Sequence, residues 1–406
     1  MALTTNPFNP TLPASPNEFV GRKEQIKLFE ERLASTINAS PMSLAIVGNR
    51  GIGKTSLLAK YAQMAKEKKC FVVRFSPIET NMKTLEDLST YIISQIEYQA
   101  YTLSKLGKLR QDILSILREN KLTLKTGYDG IEFEAGIERT ARTQPILRED
   151  LEDIWKKLKD EVSAIVIIID EAETLEPLGN PYMFLREVFS RLGEDRYPYM
   201  LVLGGKLTFP QKLTGEFSPL LRFFHPETLE PLSEGECVTY IKSKLGKSSL
   251  SLEDDLIRKI YTDSQGHPYV LAVIMHVLYR EFIDEKTKIS LSDYDAIKLE
   301  LSKFITQEFF SPLYSSLTPG AREILGILAD TRKLEFRFNT VVEMAKKDAN
   351  KTSPYLAELV RKGCLDRLSR GHYKIFHELF RQYVSGQRIA INKESLVIPT
   401  KISDWF

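Results

Sequence analysis

Eight consecutive residues, GNRGIGKT at 48–55, carry the spacing G-x-x-x-x-G-K-[ST]. Glycines in that pattern let successive backbone N–H groups turn toward a phosphate chain, the lysine reaches the β and γ phosphates, and the Ser/Thr hydroxyl can hold magnesium. Lys54 and Thr55 stand in the last two roles. Gly48, Gly51 and Gly53 form the cradle with Asn49, Arg50 and Ile52 between them, and Ser56 follows. A second cluster, AIVIIIDEAE at 164–173, ends an apolar run on Asp170 and Glu171. Strand ends of a parallel sheet face the ligand, so Asp170 is expected to bind magnesium, commonly through water, and Glu171 to orient and polarise the attacking water. An Asp that only caps the next helix is the plainer use of such a residue. The P-loop upstream reverses that preference, and the chemistry it implies is hydrolysis of a nucleoside triphosphate with Mg2+.

These residues need a frame. SLAIV at 43–47 reads as a short buried strand, TSLLAKYAQMAKEK at 55–68 has helical period, and CFVVRF at 70–75 is a second apolar strand. AIVIII at 164–169 and YMLVLGG at 199–205 add two more. Strand, helix, strand succession implies an α/β fold with a parallel sheet and right-handed crossovers. NEFVGRKEQIKLFEERLAS at 17–35 gives one apolar face and a helix over about 22–34. LREDLEDIWKKLKD at 147–160 gives another.

The domain boundaries that follow are an extended, proline-punctuated arm at 1–17, a P-loop ATPase domain at 18–228, a helical lid at 229–316, a last unit at 317–384 and a tail at 385–406. An insertion at about 82–140 is helical at first. Ile131, Phe133, Ala135 and Ile137 then alternate with acidic or small residues, as in a strand or hairpin. Beyond about 229 strand signals stop and helical ones take over.

Composition narrows the classes. A 406-residue chain with 43% hydrophobic and 27% charged residues is ordinary globular material for two or three domains. A net charge of +2 puts any nucleic-acid affinity in a local patch. The cysteines Cys70, Cys237 and Cys364 have no paired spacing, which argues against a disulfide framework or a cysteine metal site and fits a reducing cytoplasm. The longest apolar runs fall short of a bilayer span, and the N-terminus lacks the marks of a secretion signal.

The P-loop, the DE pair, FVGR at 19–22 and GHP at 266–268 together resemble the AAA+/STAND superclass of P-loop ATPases, in particular archaeal-type ATPases with a C-terminal winged helix. The resemblance implies ATP hydrolysis with ATP/ADP and Mg2+ as cofactors, that Val20 and Gly21 lie near the adenine, that Arg22 approaches the phosphates, and that His267 and Pro268 bring the lid to the nucleotide. Pro268 is also a good first residue for the following helix. The GHP segment holds no sensor arginine, which favours the STAND side. Lys206 is a candidate polar sensor. Arg222 sits where a related ATPase carries an arginine finger for a neighbouring subunit, which makes self-association an expectation.

The unit at 317–384 reads helix, helix, helix, hairpin, helix, a winged-helix pattern whose second joined helix can enter a major groove. Residues 331–384 hold 12 Lys or Arg against 6 Asp or Glu. Lys351, Tyr355, Arg361, Lys362, Arg367 and Arg370 are the candidate contacts to double-stranded DNA. Two functions stand side by side: a DNA-associated ATPase switch in replication, transposition or defence, and a signalling ATPase whose winged helix binds protein. Neither involves a membrane.

Overall fold

The computed structural model describes residues 6–77, 82–102, 144–206, 218–246 and 248–392. Five parallel strands form the first half: β1 (Leu44–Val47), β2 (Phe71–Phe75), β3 (Ile165–Ile169), β4 (Tyr199–Gly205) and β5 (Pro226–Thr228). Their spatial order is β2-β3-β4-β1-β5, so β2 and β5 are edges and β3 and β1 flank the central β4. Every residue of β1, β3 and β4 is buried, which is why these strands read as unbroken apolar runs instead of alternating ones.

Successive residues of a strand serve opposite faces of the sheet. Leu44, Ile46, Val72, Val166 and Ile168 pack with Phe29 of α1 (Lys23–Ile37) and with Leu57, Leu58 and Tyr61 of α2 (Lys54–Glu67). Ala45, Val47, Val73, Ile165 and Ile167 pack on the other side with α3 (Leu85–Thr102), α4 (Gln144–Leu158) and α5 (Pro181–Glu194). The alternation sends Arg74, two residues after Val72, to the α2 side. A short α6 (Ser218–Phe224) leads into β5, a strand the sequence did not announce because three residues, two part-buried and one exposed, show no period.

The second half is mainly helical, with α7 (Glu234–Leu245), α8 (Asp254–Ser264), α9 (Pro268–Phe282), α10 (Leu291–Ala296) and α11 (Lys298–Ile305). The expectation that strands end near 229 is corrected by a parallel pair of two-residue strands, β6 (Ser251–Leu252) and β7 (Lys288–Ile289). A π-helical turn at Thr306–Phe310 runs into α12 (Ser311–Ser315) and α13 (Pro319–Asp330).

Then come β8 (Glu335–Arg337), α14 (Phe338–Ala345), α15 (Ala349–Lys362), the hairpin of β9 (Leu365–Ser369) and β10 (His372–Ile375), and α16 (Glu378–Asn392). These three strands form an antiparallel sheet in the order β8-β10-β9. The order of helices and hairpin is the one read from the sequence, with β8 added and α16 carried past the expected end at 384.

The helices from α7 to α12 and this last unit share one apolar core. Phe8 from the N-terminal arm is fully buried in it, edge-on to Tyr240 and Tyr279. Further along the arm, the Ala14 N–H donates to Ser56 Oγ at 3.0 Å, so the arm ties the helical half to the start of α2. The expected strand at 131–137 and the tail beyond 392 lie outside the described residues. Among the described residues no helix is long and apolar enough to cross a membrane.

Candidate functional site

The loop after β1 is pinned to the sheet by the Gly48 N–H, which donates to the Gly205 carbonyl at 3.2 Å. It turns at Gly51 (φ +76°) and Gly53 (φ +97°), left-handed positions that glycine takes without strain, and Gly53 opens α2. Lys54 Nζ donates to the carbonyls of Gly48 and Asn49, both at 2.8 Å, and so lies curled over the loop. Burial pulls its pKa down to about 8, with Glu173 and Asp170 opposing the shift. A half-buried cation held over backbone carbonyls is poised for an anion with several oxygens.

The acidic side of the site is set by strand register. β2 and β3 pair Arg74 with Ile168 and Phe75 with Ile169, and the Asp170 N–H donates to the Phe75 carbonyl at 2.9 Å. Asp170 is buried, and a Cβ placed on Gly204 of β4 would lie 3.1 Å from its Oδ1. Arg74 Nη2 stands 3.6 Å from Asp170 Oδ2 and donates to the Thr55 carbonyl at 3.1 Å. Glu171 has φ +53°, a strained backbone for a side chain of its size and a feature that tends to mark functional positions. Its Oε2 accepts from Ser76 Oγ at 3.2 Å. Burial raises the Glu171 pKa, against the Ser76 hydrogen bond.

Lys206, at the end of β4, is paired with Glu173: Nζ to Oε1 is 3.4 Å, and its N–H donates to Oε2 at 3.3 Å. The structure therefore brings Lys54, Thr55, Asp170, Glu171 and Lys206 to one end of the sheet, together with Arg74, Ser76 and Glu173, which sequence reasoning missed. A single charge near the end of the apolar strand FVVRF was the available signal for Arg74. Among the described residues no group of three or more His, Cys, Asp or Glu side chains could hold a metal. One buried carboxylate beside a threonine still suits magnesium, which takes few protein ligands and several from phosphates and water.

The opposite side of the loop is closed by the helical half. Arg22 is buried at the left-handed N-cap of α1; its Nη1 donates to Glu230 O (2.6 Å) and Nη2 to Ile52 O (3.1 Å). It thus ties the loop to the segment leading into α7 instead of facing solvent. A Cβ on Gly51 would stand 2.9 Å from both His267 Cε1 and Tyr269 Cβ. His267 Nε2–H donates to the Arg50 carbonyl at 3.1 Å, while its buried Nδ1 has no partner. Burial and the neighbouring His377 push the His267 pKa down to about 3. Arg50 lies over the Phe309 ring, 5.6 Å from its centre, in the π-helical turn. Asn49 approaches Asp366 of β9, whose pKa burial raises to about 6. Gly21 packs against α7, where a Cβ would stand 2.6 Å from Glu236 Oε1, and Pro268 is the first residue of α9.

The remaining candidates lie apart. Arg222 is exposed on α6. Lys351, Arg361 and Arg370 are exposed, Lys362 and Arg367 partly so. Tyr355 is packed: a Cβ on Gly320 would come within 2.4 Å of its ring, and Lys347 Nζ sits 5.6 Å from the ring centre.

A phosphate loop after one strand of a five-stranded parallel sheet, with an acidic pair at the end of a nearby strand, defines a P-loop NTPase. The chain belongs to the Novel STAND NTPase 1 family, whose model matches residues 9–382. It is 22% identical over 398 residues to an uncharacterised HTH-type transcriptional regulator of Methanocaldococcus jannaschii, covering 93% of this chain and 92% of that protein. The fold is shared with a Walker-type ATPase of Pyrococcus abyssi, with a TM-score of 0.60, 17% identity and coverage of 93% and 99%. It is also shared with the ORC2 protein of Aeropyrum pernix, solved as ADPNP–ADP complexes, with a TM-score of 0.57, 13% identity and coverage of 95% and 98%.

Proposed function

We propose that this protein is an ATP-binding, ATP-hydrolysing switch whose C-terminal unit is a winged helix that associates with DNA. In this reading Lys54 leaves the Gly48 and Asn49 carbonyls for the β and γ phosphates, and Thr55 and Asp170 hold magnesium. A metal ion held there would neutralise charge on the phosphates. Glu171, with Oε2 held by Ser76, has Oε1 to orient the attacking water and take its proton. Val20 and Gly21 border the base, and Lys206 senses the γ phosphate. Arg222, exposed on α6, serves a neighbouring subunit.

One observation carries the switch. The loop residues Asn49, Arg50 and Gly51 are held from the lid and from the last unit, through His267, Phe309 and Asp366. Helix α15 ends beside the same loop: a Cβ on Gly363 would lie 4.0 Å from Arg50 Cβ. A loop that rearranges around phosphates therefore pulls on the helix that presents Lys351 and Arg361. The matching HTH-type regulator supports DNA as the partner.

The test is DNA affinity, by fluorescence anisotropy of a labelled duplex with ATP, with ADP and without nucleotide, at several salt concentrations. Affinity that falls steeply with salt and differs between nucleotide states by about fivefold or more is expected. No salt-dependent binding in any state would overturn the DNA assignment. The runner-up, a winged helix that docks on protein, draws on Leu368, which is 48% exposed on the hairpin beside Arg370.

A further inference from the structure

The edge strand β2 places one partner against each member of the acidic pair. Arg74 and Ser76 are two residues apart and so lie on the same side, with Arg74 at Asp170 and Ser76 at Glu171. Ser76 makes an ordinary hydroxyl-to-carboxylate bond. Arg74 does something different: its Nη2 bridges Asp170 Oδ2 and the Thr55 carbonyl, the two residues assigned above to magnesium. Among the described residues Arg74 is the cation within 4.0 Å of that carboxylate, since Lys54 Nζ is engaged with loop carbonyls.

A surface pair of this kind would be of small consequence. Here the carboxylate side chain is only 8% exposed while the guanidinium side chain is 31% exposed. Leaving a buried charge uncompensated is strongly unfavourable, so Asp170 needs a cation in every state of the site. Arg74 also has an open side through which to leave. A planar guanidinium suits this bridge between a carbonyl and a carboxylate better than an ammonium does.

We propose that Arg74 is the resident counter-ion of the metal site: it holds Asp170 and the start of α2 together before metal arrives, and it competes with magnesium for Asp170. This rests on the reading of Asp170 as the magnesium-binding residue. Arg74 is a positioning residue that acts through Asp170, and its effect is to make metal binding wait for the extra negative charge of the nucleotide. A site with Arg74 in place resists bare Mg2+, because a divalent ion must displace a fixed positive charge.

The experiment is a Mg2+ titration of the full chain with a fluorescent ATP analogue, in wild type, Arg74→Gln, Arg74→Lys, Asp170→Asn and the double variant Arg74→Gln/Asp170→Asn. Arg74→Gln is expected to lower the Mg2+ concentration at half-saturation by about fivefold or more. Analogue affinity in EDTA should change less than twofold, and Arg74→Lys should lie between Arg74→Gln and wild type. In the Asp170→Asn background the Arg74 substitution should have no further effect. Thermal melts without nucleotide provide an independent measure: Mg2+ alone should raise the melting temperature of Arg74→Gln more than that of wild type.

Equal weakening of Arg74→Gln with and without Mg2+ would make Arg74 a phosphate contact and overturn the proposal. An unchanged Mg2+ midpoint in Arg74→Gln would overturn it as well, provided Asp170→Asn shifts that midpoint. If Asp170→Asn leaves the Mg2+ dependence untouched, the metal assignment of Asp170 fails first, and the proposal falls with it.

Discussion

The two sides of the phosphate loop are built on opposite electrostatic plans. At the strand ends, charged groups are partnered: Arg74 with Asp170, Lys206 with Glu173, and Glu171 by the Ser76 hydroxyl. Against the helical half, buried polar groups are left short. His267 Nδ1 and Asp366 Oδ1 have no hydrogen-bond partner, and burial moves both side chains toward their neutral forms. Paired charges fix a geometry for chemistry, whereas under-satisfied buried groups weaken a contact that has to open. In the proposed reading, the difference separates a catalytic side from a transmitting side.

The sharpest way to break that division is to substitute one residue on the catalytic side and one in the loop itself. Glu171→Gln is expected to lower turnover by about 100-fold to 10000-fold while ATP affinity stays within a few-fold, because the water loses its base and the loop is untouched. Lys54→Ala is expected to lower ATP affinity by about 100-fold, the scale of a lost charged hydrogen-bond donor. Calorimetric binding and steady-state hydrolysis on both variants decide it. Equal loss of binding in both would merge the two roles.

What the sequence made legible follows the same line. GNRGIGKT and the DE pair announce themselves because phosphate and metal chemistry admits few residue types at fixed spacing, and four of the five sheet strands read as apolar runs because they are largely buried. Arg74 and Ser76 were missed because their role comes from the register of β2 on β3, which no local pattern states. His267 was flagged only through the GHP resemblance. Asp366 carried no signal at all, since its meaning lies in a contact with Asn49, more than 300 positions away in the chain. The short strands β5 to β8 escaped for a simpler reason, being two or three residues each.

A smaller effect probes the loop lysine by pH. With its pKa held near 8 in the folded protein, Lys54 loses its proton well below the usual lysine range. The unfolded chain then binds more protons between about pH 8 and 10.5, so this group makes folding more favourable as pH rises through that window. Nucleotide binding runs the other way, since phosphates need the ammonium form. ATP affinity should be flat below pH 8 and fall by up to about tenfold per unit above it, with proton uptake visible in buffers of different ionisation enthalpy. Lys54→Arg should flatten the profile, because a guanidinium stays charged. A wild-type profile that stays flat to pH 9.5 would remove Lys54 from the phosphates.

The finest test takes the transmitting side. Asp366 is buried and is faced by Asn49 and Lys374, which favour its charged form, and by Glu230, which opposes it; burial dominates and raises its pKa to about 6 from 3.8. The folded protein thus binds more protons than the unfolded chain between those values, and stability falls as pH climbs from about 4 to 6 and stays reduced above. Asp366→Asn keeps an oxygen for Asn49 and removes the buried charge. At pH 7.5 it should stabilise the protein by about 1 to 3 kcal/mol, a gain that vanishes below about pH 4. If the contact between β9 and the loop must open when nucleotide binds, the same substitution should slow ATP association at pH 7.5 and leave turnover of bound ATP unchanged. Stopped-flow binding beside melts at pH 4 and 7.5 measures both. A stabilised variant that binds ATP at the wild-type rate would show that the loop exchanges nucleotide without releasing β9, and that the transmitting side begins elsewhere, at His267 or Phe309.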